Sequence, residues 1–506
     1  MTHRPPSEPR ELTLDPADWD ALRALGQRMV DDMFDYLMRV RERPVWQPFP
    51  NAVKARLAEP LPHEGRPAEA VYEEFTRDVL PYPAGNIHPR FWGWVIGTGT
   101  PLAMLADMLA SGMNPQTAGI QEAGRYVEER VIAWLAELMG FPEGSSGLLV
   151  SGGSMANLVA LAVARQAKAG FDVREQGLGE GAPPLVVYAS TEVHSSVRKA
   201  VELMGLGRRN LRLIPVDAEY RIDVDALREA IARDRASGRR PICVVGNAGT
   251  VNTGATDDLR ALAAICHDAG LWFHVDGAFG ALLTLAPELK HLVAGLESAD
   301  SVAFDLHKWG YLPFEVGCTI VRHPGVHRDT FAVAPSYLGA TPRGAAAGGV
   351  LFADLGLQLS RGFRALKVWM AFKTYGVDLI GRLIAQNVAQ IRDLAALVDA
   401  HPKLERLAPA PLNICCFRFV AAGLDDAALN ALNEEVLWQL QESGVALPSH
   451  TVLGGKFAIR VANTNQRSRR EDFDLLVRAV VKLGEELSSD RAKEMTSPPV
   501  LPSRQG

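Results

Sequence analysis

The sequence predicts an α/β protein built on a mostly parallel sheet with helices on both faces, and three observations lead there. Between about residues 91 and 375, short apolar runs alternate with helix-length segments. A parallel sheet needs that order, because each crossover must carry the chain back to the end where the strand began. Most of these runs are apolar at every position rather than at every second one, as strands covered on both faces are. Finally, the 506 residues are 47% hydrophobic and 22% charged, which supplies a large core and excludes a disordered or fibrous chain.

Taken in order, the chain opens with Asp15 and Pro16, read as an N-cap and first helical residue. Trp19, Leu22, Leu25, Met29, Met33 and Leu37 then recur every three or four positions. The polar face of this helix mixes Asp31 and Asp32 with Arg28 and Arg39. It is therefore expected to pack on protein, its own body or a twin subunit, and not on a membrane or in a calmodulin-type groove. Residues 1–90 form a helical arm on this reading. In the large domain, 91–375, the expected strands are LVVYAS (185–190), LRLIPV (211–216), ICVVGNA (242–248), LWFHVD (271–276), SVAFD (301–305) and CTIVR (318–322), with helices over 223–236 and 257–269. A smaller α/β domain, 376–487, holds helices over 378–400, 425–443 and 470–487 and strands over 415–420 and 457–462. The tail, 488–506, reads as disordered, and no internal repeat is present.

Composition narrows the function. Lys and Arg number 53 against 59 Asp and Glu, a net charge of −6, and no basic block offers a phosphate-tracking stripe, so nucleic acid is not an expected partner. Cys243, Cys266, Cys318, Cys415 and Cys416 show no CxxC spacing, which argues against a disulfide framework and against a zinc site. The opening MTHRPPSEPRELTLDP holds no apolar leader core. The longest apolar runs, such as that around Leu282, fall well short of the roughly 20 residues that span a membrane. A cytoplasmic protein without membrane contact or metal is expected.

In an open parallel sheet, ligands bind beyond the carboxyl ends of the strands, so the polar residues that follow each run are the candidates. After residues 148–150 comes Ser151-Gly152-Gly153-Ser154-Met155-Ala156-Asn157, leading into a helix. Exposed backbone amides at a helix start beside a serine make a phosphate cradle, although an ordinary strand–helix turn has the same composition. His194 follows the 185–190 run at the start of the next helix, where capping is the plainer role. Gly249-Thr250-Val251-Asn252-Thr253-Gly254-Ala255 and Asp257 follow 242–248 as a ligand loop and N-cap, or simply a polar turn. Asp276 ends its strand before the small Gly277 and Ala278. A buried carboxylate there requires a cation, either a metal or a protonated heterocycle. Asp305 ends the next run, and Leu306-His307-Lys308-Trp309 sets a lysine among apolar residues, where burial makes its amine a nucleophile for carbonyls. A phosphate loop, a ring-stacking histidine, a carboxylate and a lysine in that order suit pyridoxal 5'-phosphate, whose phosphate, pyridinium nitrogen and aldehyde need those partners.

These stretches resemble the group II pyridoxal-phosphate-dependent amino-acid decarboxylases, most of all the aromatic-L-amino-acid decarboxylase branch, over residues from about 80 to 485. The likeness rests on His88-Pro89-Arg90-Phe91, Met104 to Leu109, His194-Ser195-Ser196-Val197, His274-Val275-Asp276-Gly277-Ala278, His307-Lys308-Trp309, Pro335-Ser336-Tyr337-Leu338 and Arg364 to Trp369. It implies an aspartate-aminotransferase-type fold (fold type I) and a homodimer with sites at the subunit interface. It also implies decarboxylation of an L-amino acid, aromatic or bulky, to its amine. By the same likeness Lys308 holds the cofactor as a Schiff base, Asp276 pairs with the ring nitrogen and His194 stacks on the ring. Gly153, Ser154 and His307 lie near the phosphate.

Tyr337, in a Gly- and Ala-rich segment suited to a lid, matches the tyrosine that protonates the carbanion in these enzymes, where aldehyde-forming relatives carry phenylalanine. Three positions depart from the pattern: Val251 and Gly97 stand where the branch has threonine, and Asp305 where it has asparagine. An acid cannot donate to phosphate as an amide does, so Asp305 is expected to orient His307 or Lys308. Phe91, Trp92 and Trp94 form an aromatic cluster that fits either a pocket or a core. The rival readings are an aminotransferase, for which Arg460 would clamp a carboxylate although a structural ion pair is its plainer role, an aldehyde-forming decarboxylase, and a binding scaffold without activity.

Overall fold

The structure, a computed structural model, describes residues 12–119, 121–179, 181–333, 343–344, 347 and 349–496. Tyr337, with its neighbours Pro335, Ser336 and Leu338, lies outside the described residues. By contact the chain divides into two units, Met1–Arg43 with Pro48–Ala84, and Pro44–Gln47 with Gly85–Gly506.

In the first unit the apolar repeat forms the helix Trp19–Met38, but its cap is Asp18 and not Asp15. The Asp18 carboxylate accepts from the Asp20 and Ala21 amides at 2.9 and 3.0 Å. Those amides lie two and three residues downstream, the reach of a capping side chain, so Pro16 stays outside the helix. No residue of this helix is buried, and Trp19 and Met38 are 61% and 72% exposed.

Among the described residues the second unit carries twelve strands: β1 (Phe91–Trp92), β2 (Ser146–Val150), β3 (Leu185–Ser190), β4 (Leu211–Ile214), β5 (Arg240–Asn247), β6 (Trp272–Asp276), β7 (Ser301–Asp305), β8 (Gly317–Val321), β9 (Leu404–Arg406), β10 (Ile414–Phe419), β11 (Leu447–Leu453) and β12 (Lys456–Ala462). Seven of them form one sheet in the order β2-β8-β7-β6-β5-β3-β4. Only β8 runs antiparallel to its neighbours, so β2 points the same way as β7. The carboxyl ends of β2, β3, β5, β6 and β7 therefore open on one side. Both faces are covered. Along β3, Leu185, Val187 and Ala189 pack with Val197 and Val201 of the helix Ser195–Leu203, while Val186 and Tyr188 pack with Leu227 and Ile231 of the helix Val224–Ala236.

The other five strands form a second sheet, β1-β11-β12-β10-β9, with Trp92, Phe417, Ile459 and Phe473 in its core. Two departures from expectation follow. Residues 91–92 join this sheet, pairing with Leu447 and Pro448, rather than the large one. The last helix, Arg470–Thr496, continues past 487 because Arg491, Ala492, Lys493, Glu494 and Met495 are good helix formers. Among the described residues, no helix is long and apolar enough to cross a membrane.

Candidate active site

A cavity of about 350 Å³ sits at the open strand ends, and Gly153, Ser154, His194, Ala278, Asp305, His307 and Lys308 all line it. Its floor is the start of the helix Gly153–Lys168, whose N-cap, Gly152, offers no side chain to the first amides. Orphan amides at such a start attract an anion. The approach is close: a Cβ on Gly153 would fall 2.8 Å from Asp305 Oδ2, and one on Gly317 would fall 2.6 Å from the Gly152 Cα.

Asp305 carries the charge at this corner. Its Oδ2 accepts from Lys308 Nζ at 2.9 Å and lies 3.8 Å from His307 Nε2. Its Oδ1 is buried without a partner. The carboxylate thus bears on Lys308 first, the orienting arrangement expected of an acid at this position. His307 Nδ1 lies 3.0 Å from Val316 O and 3.2 Å from the Val316 amide nitrogen, and burial pushes its ring below the ordinary histidine value against the pull of Asp305. Phe314 lies against that ring at 4.5 Å and lines the same cavity.

His194 does two things at once. It is the N-cap of the helix Ser195–Leu203, with Nδ1 accepting from the Ser196 amide at 3.2 Å, and its ring borders the cavity. The capping role fixes the ring's edge and leaves Nε2 for the site. Partial burial lowers its proton affinity, with Asp276 opposing.

Asp276, 4% exposed, does not itself line the cavity but is hydrogen-bonded to two residues that do, Ala278 and Asn157. Its Oδ1 accepts from the Ala278 amide at 3.2 Å and its Oδ2 from Asn157 Nδ2 at 2.9 Å. Behind them His274, wholly buried, approaches Asn157 Oδ1 through Nε2 at 2.8 Å, and burial holds its pKa down at about 4. Among the described residues no group of three or more His, Cys, Asp or Glu side chains could hold a metal beside it.

Thr250 is not brought to the cavity. Its Oγ1 accepts from the Ala255 amide at 3.1 Å and meets Thr253 Oγ1 at 3.1 Å, so the hydroxyl is spent inside its own turn. The N-cap there is Asp258, while Asp257 accepts from the Asn247 and Ile222 amides at 2.7 Å. Arg460 is likewise occupied. Nε donates to Asn252 O at 3.0 Å, Nη1 to Trp94 O and Ser449 Oγ at 3.1 Å, and Nη2 to Val251 O. An arginine so used has no fork left for a carboxylate, which removes the observation behind the aminotransferase reading. Of the aromatic cluster, Phe91 and Trp92 are core, and none of the three lines the cavity.

Two residues that the sequence comparison marks only as a departure and a match, Gly97 and Lys367, act as supports of the site. Gly97 must be glycine, because a Cβ would fall 1.9 Å from His307 O and 2.6 Å from Lys308 O. Lys367, 4% exposed, donates to Asp107 at 3.0 Å and to Pro313 O and Phe314 O at 3.1 and 3.3 Å, pinning the loop that carries Phe314.

The residues fit pyridoxal phosphate: an uncapped helix start for the phosphate, a lysine amine at the cavity for the aldehyde and a buried carboxylate, Asp276, bonded to two residues of the cavity wall. A parallel sheet presenting that set defines a pyridoxal-phosphate enzyme of fold type I. The pyridoxal-dependent decarboxylase conserved domain matches residues 50–420, and the chain belongs to that family of carboxy-lyases, which convert an amino acid to its amine and carbon dioxide. It is 34% identical to the aromatic-L-amino-acid decarboxylase of Bacillus atrophaeus over 93% of this chain and 96% of that one. A phenylacetaldehyde synthase of Arabidopsis thaliana is 28% identical over 89% and 93%. Among solved structures, Oryza sativa TDC with PLP and tryptamine superimposes with a TM-score of 0.87 at 27% identity, covering 94% of this chain and all of that one.

Proposed function

We propose that this chain decarboxylates an aromatic L-amino acid, and that the chemistry takes place in the Lys308 cavity. The observation that carries the assignment is the meeting of the Lys308 amine, the uncapped helix start and the buried Asp276 at one set of strand ends. Lys308 would hold the cofactor's carbonyl carbon, the amides of Gly153 and Ser154 its phosphate, and Asp276 its ring nitrogen. When bound, pyridoxal phosphate supplies the electron sink for the pair left by departing carbon dioxide. The residues of this chain do the rest. His194, fixed by its cap, covers one side of the cavity. Asp305, whose carboxylate accepts from Lys308 Nζ at 2.9 Å, would orient the Lys308 amine toward the cofactor's carbonyl carbon. Tyr337 would give its phenolic proton to the α-carbon, so that a C–H bond replaces the C–C bond broken on loss of carbon dioxide.

The likeness to an aromatic-L-amino-acid decarboxylase along nearly its whole length supports the substrate class, and Phe314 gives the cavity an aromatic wall. The pure protein, incubated with pyridoxal phosphate and each amino acid singly, should release carbon dioxide and amine in equal amounts from aromatic substrates. Release from acidic substrates alone would overturn the assignment. Because one relative is a phenylacetaldehyde synthase, oxygen uptake and aldehyde are measured in the same vessel. Tyr337→Phe should slow amine release and raise both, whereas an unchanged product would remove the assigned acid.

We further propose a cytoplasmic homodimer. The buried, unpaired state of all five cysteines supports a reducing compartment. Met29 and Met33 face Val71, Tyr72 and Phe75 across an open apolar groove of about 560 Å³ on a helix with no buried residue, which supports a second copy as its cover. Sedimentation should give twice the 54.9 kDa chain mass; an active monomer would sink the proposal.

A further inference from the structure

We infer that Asn157 is the positioning residue that joins Asp276 to His194, so that one amide group sets the two side chains which face the cofactor. The inference rests on the site proposed above and extends it to a residue with no assigned role. Asn157 is 1% exposed, in the second turn of the helix Gly153–Lys168, and both hydrogens of its side-chain amide and one acceptor position of its oxygen are used. One Nδ2 hydrogen goes to Asp276 Oδ2 at 2.9 Å and the other to Ser196 Oγ at 3.0 Å, while Oδ1 faces His274 Nε2 at 2.8 Å.

The directions are determined. A flipped amide would set its oxygen against the Asp276 carboxylate, two acceptors with no proton between them. His274, kept neutral by burial, therefore carries its hydrogen on Nε2 and accepts on Nδ1 from Ser301 Oγ at 2.9 Å; Ser301 in turn accepts from Trp272 Nε1 at 2.8 Å. On the other branch Ser196 Oγ, having accepted from Asn157, gives its own hydrogen to His194 Nδ1 at 2.8 Å. The chain from Trp272 thus ends in two outlets, Asp276 and His194, and Asn157 is where it divides. A packing residue needs none of this, since any side chain of the same volume would fill the space.

Asn157→Asp keeps the shape and the acceptor for His274 but turns both donors into acceptors. Two carboxylates 2.9 Å apart cannot both stay charged, and His274 would face a new negative group. Histidine-15N-labelled full-length protein is measured at pH 7 with and without pyridoxal phosphate, His274 being assigned by the loss of its signals in His274→Gln. The expected results are a neutral, Nε2-protonated His274 in the parent chain, a shift toward the cationic pattern in Asn157→Asp, and at least tenfold weaker binding of pyridoxal phosphate. Ser196→Ala cuts only the His194 branch: it should change the visible circular dichroism of the bound cofactor and leave the His274 signals in place. Should Asn157→Asp fail to fold, Ser196→Ala decides alone. A folded Asn157→Asp with parental His274 signals and cofactor affinity would overturn the inference, as would a Ser196→Ala indistinguishable from the parent. The His274 signals of cofactor-free protein do not depend on which amino acid is consumed, so failure of the substrate assignment would be seen separately, in the amine assay.

Discussion

Acidification from pH 7 to pH 5 should cost the fold about 4 kcal/mol through two histidines, His274 and His327. Both are wholly buried, and burial lowers each from 6.5 to about 4. His274 lies between Ser301 and Asn157, and His327 between Ser146 Oγ at 2.7 Å and Leu355 O at 2.9 Å. Leu355 O can only accept, so His327 also carries its hydrogen on Nε2. Between pH 6.5 and 4 the unfolded chain binds the protons that the folded chain refuses, so stability falls as pH falls through that window. Linkage with those two values gives about 2 kcal/mol for each ring between pH 7 and 5, and roughly 3 kcal/mol each below pH 4. Against a usual total of about 5–15 kcal/mol the pair is decisive. Glu128 and Asp257, carboxyls that burial pushes up, work in the opposite sense, since acid relieves them. The assay is therefore a difference. Urea unfolding is followed at pH 7, 6 and 5 for the parent chain and for His274→Gln/His327→Gln, glutamine being able to donate where Nε2–H did. The stability gap between the two should close by about 4 kcal/mol from pH 7 to 5. Parallel acid slopes would refute the reasoning, because they would mean that both rings titrate alike in the folded and unfolded chains.

Four further outcomes follow from the site and its frame. Lys308→Ala should abolish the yellow adduct that borohydride fixes to the chain, and a label on another lysine would move the site. Asp276→Asn should retain the fold and lose most turnover, since a neutral partner no longer favours a charged ring nitrogen; full activity, or loss of activity on chelation, would contradict it. Arg460→Met strips donors from Trp94, Val251 and Asn252 carbonyls and should cost about 3–5 kcal/mol in urea unfolding without changing the substrate range; a raised KM at unchanged stability would return Arg460 to substrate binding. Glu128→Gln leaves Arg361, 4% exposed, without its charge partner and should cost about 3–5 kcal/mol. Because Arg361 also donates to Leu149 O at 2.8 Å, just ahead of the phosphate corner, cofactor affinity should fall with it.

What the sequence could reveal depended on where each residue sits relative to a strand end. The six expected strands of the large sheet are present within one or two residues, and β3 and β7 match to the residue, because fully apolar runs bounded by polar turns have no other comfortable place than a covered sheet. The strand β11, LPSHTVL, was missed: Pro448 and the polar Ser449, His450 and Thr451 obscure the apolar pattern, and its middle positions are open to solvent. Lys308, His194, Gly153 and Ser154 could be read because a polar residue following an apolar run must meet something. Thr250 passed the same test and is absent from the cavity, since a turn can consume a hydroxyl internally.

The supports beneath the site carry a weaker signal, yet not none. His274 and Asp276 are two residues apart on β6, and a strand's period of two puts them on one face. A second polar residue on that face of an otherwise apolar, covered strand has to be satisfied from the element packed above. That element is the helix from the phosphate loop, and Asn157, four residues after Gly153, is the polar side chain it brings over β6. The parity of one strand and the period of one helix thus point to the same contact before any coordinate is known. What neither period supplies is direction, and the direction of the Asn157 amide distinguishes a buried hydrogen-bond network from a device that aims Asp276 and His194 at one cofactor.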